Sequence, residues 1–439
     1  MRKMYKLLTP AQVLLASLIT AIVVGTILLK LPIATTEPIA WIDALFTTVS
    51  AISVTGLIVV DTGTVFTIFG QLVILLLVQL GGIGIMTFAV LVFILLGRKV
   101  FFRQRMWVQQ ALNQSKQGGV VRLVKRIIMY SLVVESIAFV FLSANWVPQF
   151  GWRSGLYASL FHTISAFNNA GFSIWSDNLT SVASDPIANV TISLLFIIGG
   201  LGFTVMVDVW NSKSFREMSL HTKIMLVSTL TINVLVFLIV FLVEYKNPNT
   251  LGPMSFGEKT LAAYFQAVTP RTAGFNTVDI ASLDHATLSL YVLLMFVGAG
   301  STSTGGGIKL TTFFAIASTA FMFFGNRHEI IVFRRTLPQS VIIRSIAVTF
   351  IASAFIFIAV FILDLTEEAP FLMILFEVVS AFGTVGLSMG LTSELTSIGK
   401  LIIIIMMFVG KVGPLTLAYA IAKKEPTQIS YPKEDIFIG

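Results

Sequence analysis

The stretch Phe46-Thr-Thr-Val-Ser-Ala-Ile-Ser-Val-Thr-Gly56 returns in the pattern Phe-x3-Ser-Ala-x4-Gly at residues 161–171 and again at 376–386. Another copy, at 265–274, is one residue shorter and has Thr269-Pro270-Arg271 where the others have Ser-Ala. A large apolar residue follows each closing glycine (Leu57, Phe172, Phe275, Leu387), and the glycines lie 115, 103 and 112 residues apart. One such phrase arises easily by chance. Four at near-equal spacing mark four copies of one structural unit.

The surroundings of the phrases place them in a bilayer. Of 439 residues, 56% are apolar and 11% charged, with a mean hydropathy of +0.91, whereas an ordinary soluble domain is about 25% charged. That balance excludes disorder, a fibrous repeat and a cytosolic enzyme of ordinary composition. Cysteine is absent, which removes disulfides, zinc–thiolate sites and thiol nucleophiles. Crossing about 30 Å of hydrocarbon takes roughly 20 helical residues. Eight windows satisfy this: 10–31, 70–97, 122–147, 186–211, 222–245, 286–325, 341–363 and 397–422. The first is too long for a signal-peptide core and reads as a retained span. Within each pair of windows lies a shorter apolar segment, Trp41–Ser53, 154–168, 258–268 or 370–383, too brief to cross and suited to a re-entrant half-helix. The expected fold is an all-α polytopic membrane protein: four repeats of span, re-entrant pore helix and span, giving eight transmembrane helices around one central pore. The repeats are expected at 1–97, 98–211, 212–325 and 326–422, with a tail over 423–439.

Loop charge sets the expected orientation. The net charge is +8, and 21 of the 29 Lys and Arg fall in the N-terminal stretch, the loops between pairs of spans and the tail. The largest of these loops runs from Arg98 to Arg126 without an acid. The opposite side collects Asp43, Asp61, Asp177, Asp279, Glu367 and Glu368. By the positive-inside rule both termini are expected in the cytoplasm, and the half-helices enter from outside. The positive charge is thus spent on topology and lipid contact rather than on nucleic acid.

Non-helical backbone at membrane depth is tolerated only where protein or a water-filled cavity satisfies it. Four half-helices would point their partially negative C-termini at such a cavity, which favours a cation there. The residues that follow can turn their carbonyls to the axis and replace an ion's hydration shell. The candidate filter is Val54-Thr55-Gly56, Asn169-Ala170-Gly171, Thr272-Ala273-Gly274 and Thr384-Val385-Gly386. Only the glycines match closely across the repeats, so the filter is expected to be less symmetric than in a tetrameric channel.

With these residues in view, the chain resembles the ion-conducting subunits of the Trk/Ktr/HKT superfamily of potassium transporters, notably those of bacterial Ktr systems, over essentially its whole length. The resemblance implies a non-enzymatic potassium uptake protein that serves osmotic adaptation, with K+ held by the filter carbonyls. It also implies one pore per chain and assembly as a homodimer. In the superfamily a serine in the first filter position goes with sodium permeation, and glycine in all four goes with potassium. Gly56, Gly171, Gly274 and Gly386 fit the second pattern. The resemblance further implies a cytosolic ring of RCK-type nucleotide-binding subunits. ATP and ADP are then expected on that partner, with no cofactor tightly bound here.

The sixth window is interrupted by Gly298, Ala299, Gly300, Ser301, Thr302, Ser303, Thr304, Gly305, Gly306 and Gly307. Each glycine costs about 1 kcal/mol in a helix relative to alanine, so the helix is expected to break there. The spacing fails the G-x4-G-K-[ST] pattern of a phosphate-binding loop. Small residues for close helix packing are the bland reading; a mobile gate from Ala299 to Gly307 is the sharper one, and the superfamily has such a loop in its third repeat. Lys411 lies inside the eighth window, where a cation is expensive and pairs or faces a cavity. An acid or the carbonyls of the gating loop are its expected partners. Lys309, Glu135 and Asp208 are further intramembrane or boundary charges, and Arg271, beside the third filter stretch, is expected to be neutralised by an outer acid. His162, His221, His285 and His328 are scattered without metal-site spacing, and His162 reads as a packing residue.

Two functional classes follow. The first is a channel-like potassium pathway driven by membrane potential, with sodium dependence left open. The alternative is a secondary K+/Na+ or K+/H+ symporter with alternating access, which fourfold repetition and half-helices entering from one side disfavour.

Overall fold

The computed structural model describes residues 10–84, 87, 120–325 and 329–413. The main helices of its first half are α1 (Pro10–Lys30), α2 (Trp41–Ser53), α3 (Ile68–Ile83), α4 (Val120–Phe150), α5 (Trp152–Phe167), α6 (Pro186–Leu201) and α7 (Phe203–Asn211). Those of the second half are α8 (Leu220–Glu244), α9 (Phe256–Val268), α10 (His285–Phe296), α11 (Leu310–Phe324), α12 (Gln339–Thr366), α13 (Phe371–Gly383) and α14 (Ser397–Val412). A two-residue antiparallel ladder, Ile331–Val332 with Arg335–Thr336, lies in the connection between α11 and α12.

Each unit opens with a continuous helix, α1, α4, α8 or α12, long and apolar enough to cross a bilayer. Most of the surface of these helices is not covered by protein: Leu132 and Phe141 on α4, Leu230 and Leu242 on α8, and Phe350 and Phe357 on α12 are exposed. Apolar side chains on the outer face suit a hydrocarbon solvent rather than water. The short helix that follows, α2, α5, α9 or α13, is buried through its C-terminal half. The repeat phenylalanines Phe46, Phe161, Phe265 and Phe376 are all fully buried, anchoring these four pore helices in the same way. Their observed bounds match the expected half-helices to within two residues.

Among the described residues the third member of each unit stops or bends at a glycine-rich step, whereas the sequence predicts an interruption in the sixth window alone. Helix α3 stops at Gly84 (φ 89), α6 turns by 93° at Gly202 (φ 100) into α7, and α14 stops at Gly413 (φ 83). In the third unit α10 gives way to the non-helical stretch 297–309 before α11. The breaks share a sequence: Gly81-Gly-Ile-Gly84, Gly199-Gly-Leu-Gly202, Gly298-Ala-Gly-Ser301 and Gly410-Lys-Val-Gly413. The rest of the second and eighth windows, the boundary at 97/98 and the tail lie outside the described residues.

The first glycine of the break has a packing task. A Cβ on Gly81, Gly199 or Gly410 would overlap the carbonyl oxygen of Ile52, Phe167 or Phe382 respectively. Each of these carbonyls lies four residues before the glycine that ends the repeat phrase, so the broken helix rests directly on the end of its own pore helix. The ring closes between units four and one through Lys400 of α14 and Asp43 in the first turn of α2, at 2.8 Å, the one ion pair among the described residues.

Gly410→Ala is therefore expected to lower the stability of the detergent-solubilised protein by about 1–3 kcal/mol, the usual cost of overpacking. Gly257→Ala, in a helix position with nothing within 4 Å of a new Cβ, should leave it unchanged or raise it slightly. Thermal unfolding of the two variants side by side checks both outcomes.

Candidate functional site

One to four residues after each pore helix comes a residue in the left-handed region: Val54 (φ 61), Asn169 (φ 59), Thr272 (φ 69) or Thr384 (φ 50). That conformation is costly for β-branched side chains, by about 1–2 kcal/mol each, and it marks a site held by its surroundings. Two residues later Gly56, Gly171, Gly274 and Gly386 again have positive φ, at 91, 68, 75 and 94. The residue between keeps a negative φ, and this alternation turns successive carbonyls toward one side of the strand, as a carbonyl-lined ion path requires.

The four triplets, scattered over more than three hundred residues of chain, meet in a ring. A Cβ on Gly56 would lie 3.0 Å from Gly171 Cα, one on Gly171 3.0 Å from Gly274 Cα, one on Gly274 3.3 Å from Gly386 Cα, and one on Gly386 3.1 Å from Gly56 Cα. The same Cβ atoms would crowd the carbonyl oxygens of Ala170, Ala273, Val385 and Thr55. Units therefore follow one another around the axis in chain order, and only hydrogen fits at the glycines.

The Ser or Thr of the repeat phrase holds each triplet in shape. The amides of Thr55, Ala170, Ala273 and Val385 donate to the carbonyls of Ser50, Ser165, Thr269 and Ser380 at 2.8–3.1 Å. Ser50 and Ser380 side chains accept from Gly56 and Gly386 N–H at 3.1 and 3.2 Å. In the other two units the hydroxyl turns the other way: Ser165 donates to the Phe172 carbonyl at 2.7 Å, and Thr269 to that of Phe275. Sequence reasoning used these hydroxyls only as markers of the repeat; their recurrence five or six residues before each glycine was the available signal.

On the glycine side the ring floors a cavity of ≈ 490 Å³ that touches all four glycines. Asp61, Asp177 and Asp279 line it, and no Lys or Arg does. Asp61 and Asp279 also cap one-turn segments after their triplets, accepting from Thr64 and Ala281 N–H, and Asp177 accepts from Ser181 N–H in the turn that follows it. Partial burial pushes the Asp177 carboxyl up, but hydrogen bonds from Thr180 and Ser181 outweigh it and hold the group below the ordinary carboxylate range. It is thus charged at neutral pH, and a concave wall of one sign concentrates cations.

The opposite face of the ring, formed by the first residue of each triplet, meets the glycine-rich loop. Thr304 Oγ1 donates to Asn169 Oδ1 at 2.9 Å, Gly306 N–H to Thr384 Oγ1 at 2.7 Å, and a Cβ on Gly305 would lie 2.5 Å from Thr272 Oγ1. Further back, Gly300 N–H donates to the Gly200 carbonyl at 2.9 Å, Phe203 N–H to that of Thr302 at 3.1 Å, and Gly307 N–H to that of Gly410 at 3.2 Å. The stretch from Ala299 to Gly307, with Ser301 and Ser303 in it, is thus wedged between the triplets and the broken helices of units two and four.

Two lysines serve this loop. Lys411 Nζ donates to the Thr304 carbonyl at 2.7 Å, the loop-carbonyl partner rather than an acid. Lys309 Nζ donates to the Gly305 and Gly306 carbonyls at 2.6 and 3.4 Å. Lys411 stands where the other breaks carry Gly82, Gly200 and Ala299. The expectation for Arg271 needs correction. Its guanidinium donates to Asn233 Oδ1 at 3.2 Å and Thr229 Oγ1 at 3.4 Å, both neutral groups of α8, and no acid neutralises it among the described residues. It lines a small pocket with Ile197 and Gly200 of α6 and Thr229 and Asn233 of α8, and it does not line the acid-bearing cavity. Glu135 accepts from Gln79 Nε2 at 3.1 Å, and Gln79 in turn accepts from Asn168. Asp208 accepts from Ser219 N–H at 2.9 Å and from Thr222, at the end of its helix. His162 is buried against Trp146, Trp175, Phe161 and Phe275; His328 lies outside the described residues.

Comparison with known proteins agrees with this geometry. Residues 5–431 match TrkH, a family described as cation transport proteins. The chain is 53% identical over 431 residues to Ktr system potassium uptake protein B of Bacillus subtilis, covering 98% of this chain and 97% of that protein. It is 44% identical to the protein of the same name from Vibrio alginolyticus, covering 98% and 94%. Identity to the potassium/sodium uptake protein NtpJ of Enterococcus hirae is 36%, covering 100% and 99%. Among solved structures, the potassium transporter TrkH of Vibrio parahaemolyticus superposes with a TM-score of 0.72 over 92% of this chain and 84% of that one. At 20% identity that likeness speaks for the fold.

Replacing Asp61, Asp177 and Asp279 together by Asn retains good caps while removing the cavity's charge. Initial cation uptake is expected to fall several-fold at about 10 mM ionic strength and to approach the parent value near 1 M, where the screening length shrinks to about 3 Å. Uptake by proteoliposomes measured across that salt range tests it.

Proposed function

Because this chain belongs to the TrkH family of cation transport proteins, we propose that it is the membrane subunit of a potassium uptake system and conducts K+ along the axis through the four triplets. It is a transporter, not an enzyme. The observation that carries the reading is the closed ring of four positive-φ glycines, floored on one side by an acid-lined cavity and backed on the other by the glycine-rich loop. In this reading the cavity faces outside, both termini are cytoplasmic, and the membrane is the bacterial plasma membrane. Cations gather at Asp61, Asp177 and Asp279, shed water against the triplet carbonyls, and are drawn inward by the membrane potential, worth about 2.3 kcal/mol per charge per 100 mV.

The loop from Ala299 to Gly307 is the gate. It sits at the inner end of the triplets, where Ala299 is its one buried apolar side chain and hydrogen bonds supply its other ties, so its release unpacks little of the core. The word "system" in the names of the Bacillus and Vibrio relatives supports a partner subunit. We assign that role to a cytosolic RCK-type ring that carries ATP or ADP and acts on a homodimer of this chain through its basic loops. The name of the Enterococcus relative, potassium/sodium uptake protein, is the reason to test sodium as a co-ion.

Full-length protein in potassium-free vesicles should take up K+ when the interior is made negative, with Na+ present or absent. No uptake under either condition, with the partner ring supplied, overturns the reading. Uptake that follows a Na+ or H+ gradient at zero potential would favour the symporter instead. Deleting 299–307 should raise flux through the protein without its partner. Lys411→Met, which removes one charged hydrogen bond to the loop, should raise it by about tenfold, the equivalent of about 1.5 kcal/mol.

A further inference from the structure

Behind the filter, one position of the repeat differs in every unit. The residue after the repeat phenylalanine is Thr47, His162, Gln266 or Glu377, and all four are fully buried or within 1% of it. A buried carboxylate is costly unless hydrogen-bonded, and the neighbours of Glu377 on α13 are Phe376, Val378 and Val379. Packing alone would be served by another apolar residue.

The partners of these side chains fall into two classes. Glu377 accepts from Ser388 Oγ at 2.7 Å and from Thr392 Oγ1, and Thr392 Oγ1 also lies 3.0 Å from Ser388 Oγ. His162 Nδ1–H donates to the Ala158 carbonyl at 2.8 Å, which leaves Nε2 as an acceptor 2.9 Å from Ser173 Oγ; that hydroxyl also lies 3.1 Å from the Asn178 carbonyl and accepts from Trp175 N–H at 3.0 Å. Ser173 and Ser388 share one register, two residues beyond Gly171 and Gly386, and both line the cavity. Units one and three lack the arrangement. Their residues at that register are Ile58 and Asn276; Thr47 Oγ1 has no hydrogen-bond partner, and Gln266 Oε1 lies 3.2 Å from the Tyr291 hydroxyl instead.

Charge follows the same logic. Units one to three place an aspartate on the cavity wall, whereas the wall residues of unit four are neutral. Unit four instead keeps a carboxylate, Glu377, one hydrogen bond behind that wall.

We propose that His162 and Glu377 are positioning residues of the filter, each tying the serine just past its glycine back to its pore helix, so that the outer mouth is held rigid in the opposed units two and four and ion selectivity depends on those two ties. The inference rests on the proposed potassium pathway. The filter mouth is accordingly two-fold in its support although four-fold in its backbone.

The test measures the Na+/K+ permeability ratio of full-length protein in proteoliposomes. Ser388→Ala and Ser173→Ala should each raise the ratio by about tenfold, an effect the size of one lost buried hydrogen bond. Glu377→Ala should do the same, and the Glu377→Ala/Ser388→Ala pair should be no worse than either single change, as one shared tie requires. Glu377→Gln, which can still hydrogen-bond both hydroxyls, should stay within about twofold of the parent, and Thr47→Val should not alter the ratio. Parent-like ratios in Ser388→Ala and Ser173→Ala overturn the inference, as does a loss in Glu377→Gln equal to that in Glu377→Ala. A parent protein that carries no K+ overturns the pathway itself, a result distinct from a selective parent with unresponsive variants.

Discussion

At the axis of the molecule the carbonyl of Thr55 occupies the space that a Cβ on Gly386 would need, and the same crowding recurs between the other three pairs of neighbouring units. Backbone brought that close at membrane depth has no water to satisfy it, so every polar group must be placed by the protein itself. The repeat hydroxyls Ser50, Ser165, Thr269 and Ser380 hold the triplets. The pore helices supply those hydroxyls, and the phenylalanines Phe46, Phe161, Phe265 and Phe376 fix the pore helices. The glycines Gly81, Gly199 and Gly410 then let the broken helices rest against the pore-helix ends. Each layer outward from the axis exists to keep the one inside it in place.

The fourfold plan is departed from where the units take on separate tasks. Unit three replaces Ser-Ala by Thr-Pro-Arg and opens its broken helix into a loop long enough to reach beneath the ring. Unit four answers with Lys411 in a place where the other units keep Gly or Ala, because a long cationic side chain there can reach the Thr304 carbonyl. Units two and four hydrogen-bond the serine two residues past the ring glycine to a buried side chain of the pore helix, and units one and three do not. Internal repetition in a single chain permits such divergence, whereas four identical subunits would be bound to symmetry.

Charged side chains are sorted by sign across the ring. Carboxylates gather at the cavity, and the two lysines contact the loop on the far side of the ring through carbonyl oxygens. Arg271 is kept off the axis by Asn233 and Thr229 of α8. A positive charge near the end of a pore helix also meets the negative end of the helix dipole, which offsets part of the cost of holding a guanidinium without an acid.

Much of this was readable along the chain. Apolar run length and the four glycine phrases carry the unit count, the pore-helix positions and the triplets, because lipid solvation and backbone crowding act on local composition. Lys411 stood out for the same reason, as a charge in an apolar run. Other features needed the tertiary structure. Nothing local announces that Asn169, Thr272 and Thr384 meet a loop from another part of the chain, that Lys400 pairs with an aspartate 357 residues away, or that Arg271 turns to α8 instead of an acid. Nor does sequence order say that Glu377 and His162 share a task. Hydrophobic length and glycine spacing determined by themselves that this chain makes four pore-forming units in a membrane. Which polar groups meet across those units was decided only by the closing of the ring, since hydrogen bonds and ion pairs depend on distances that the folded backbone alone sets.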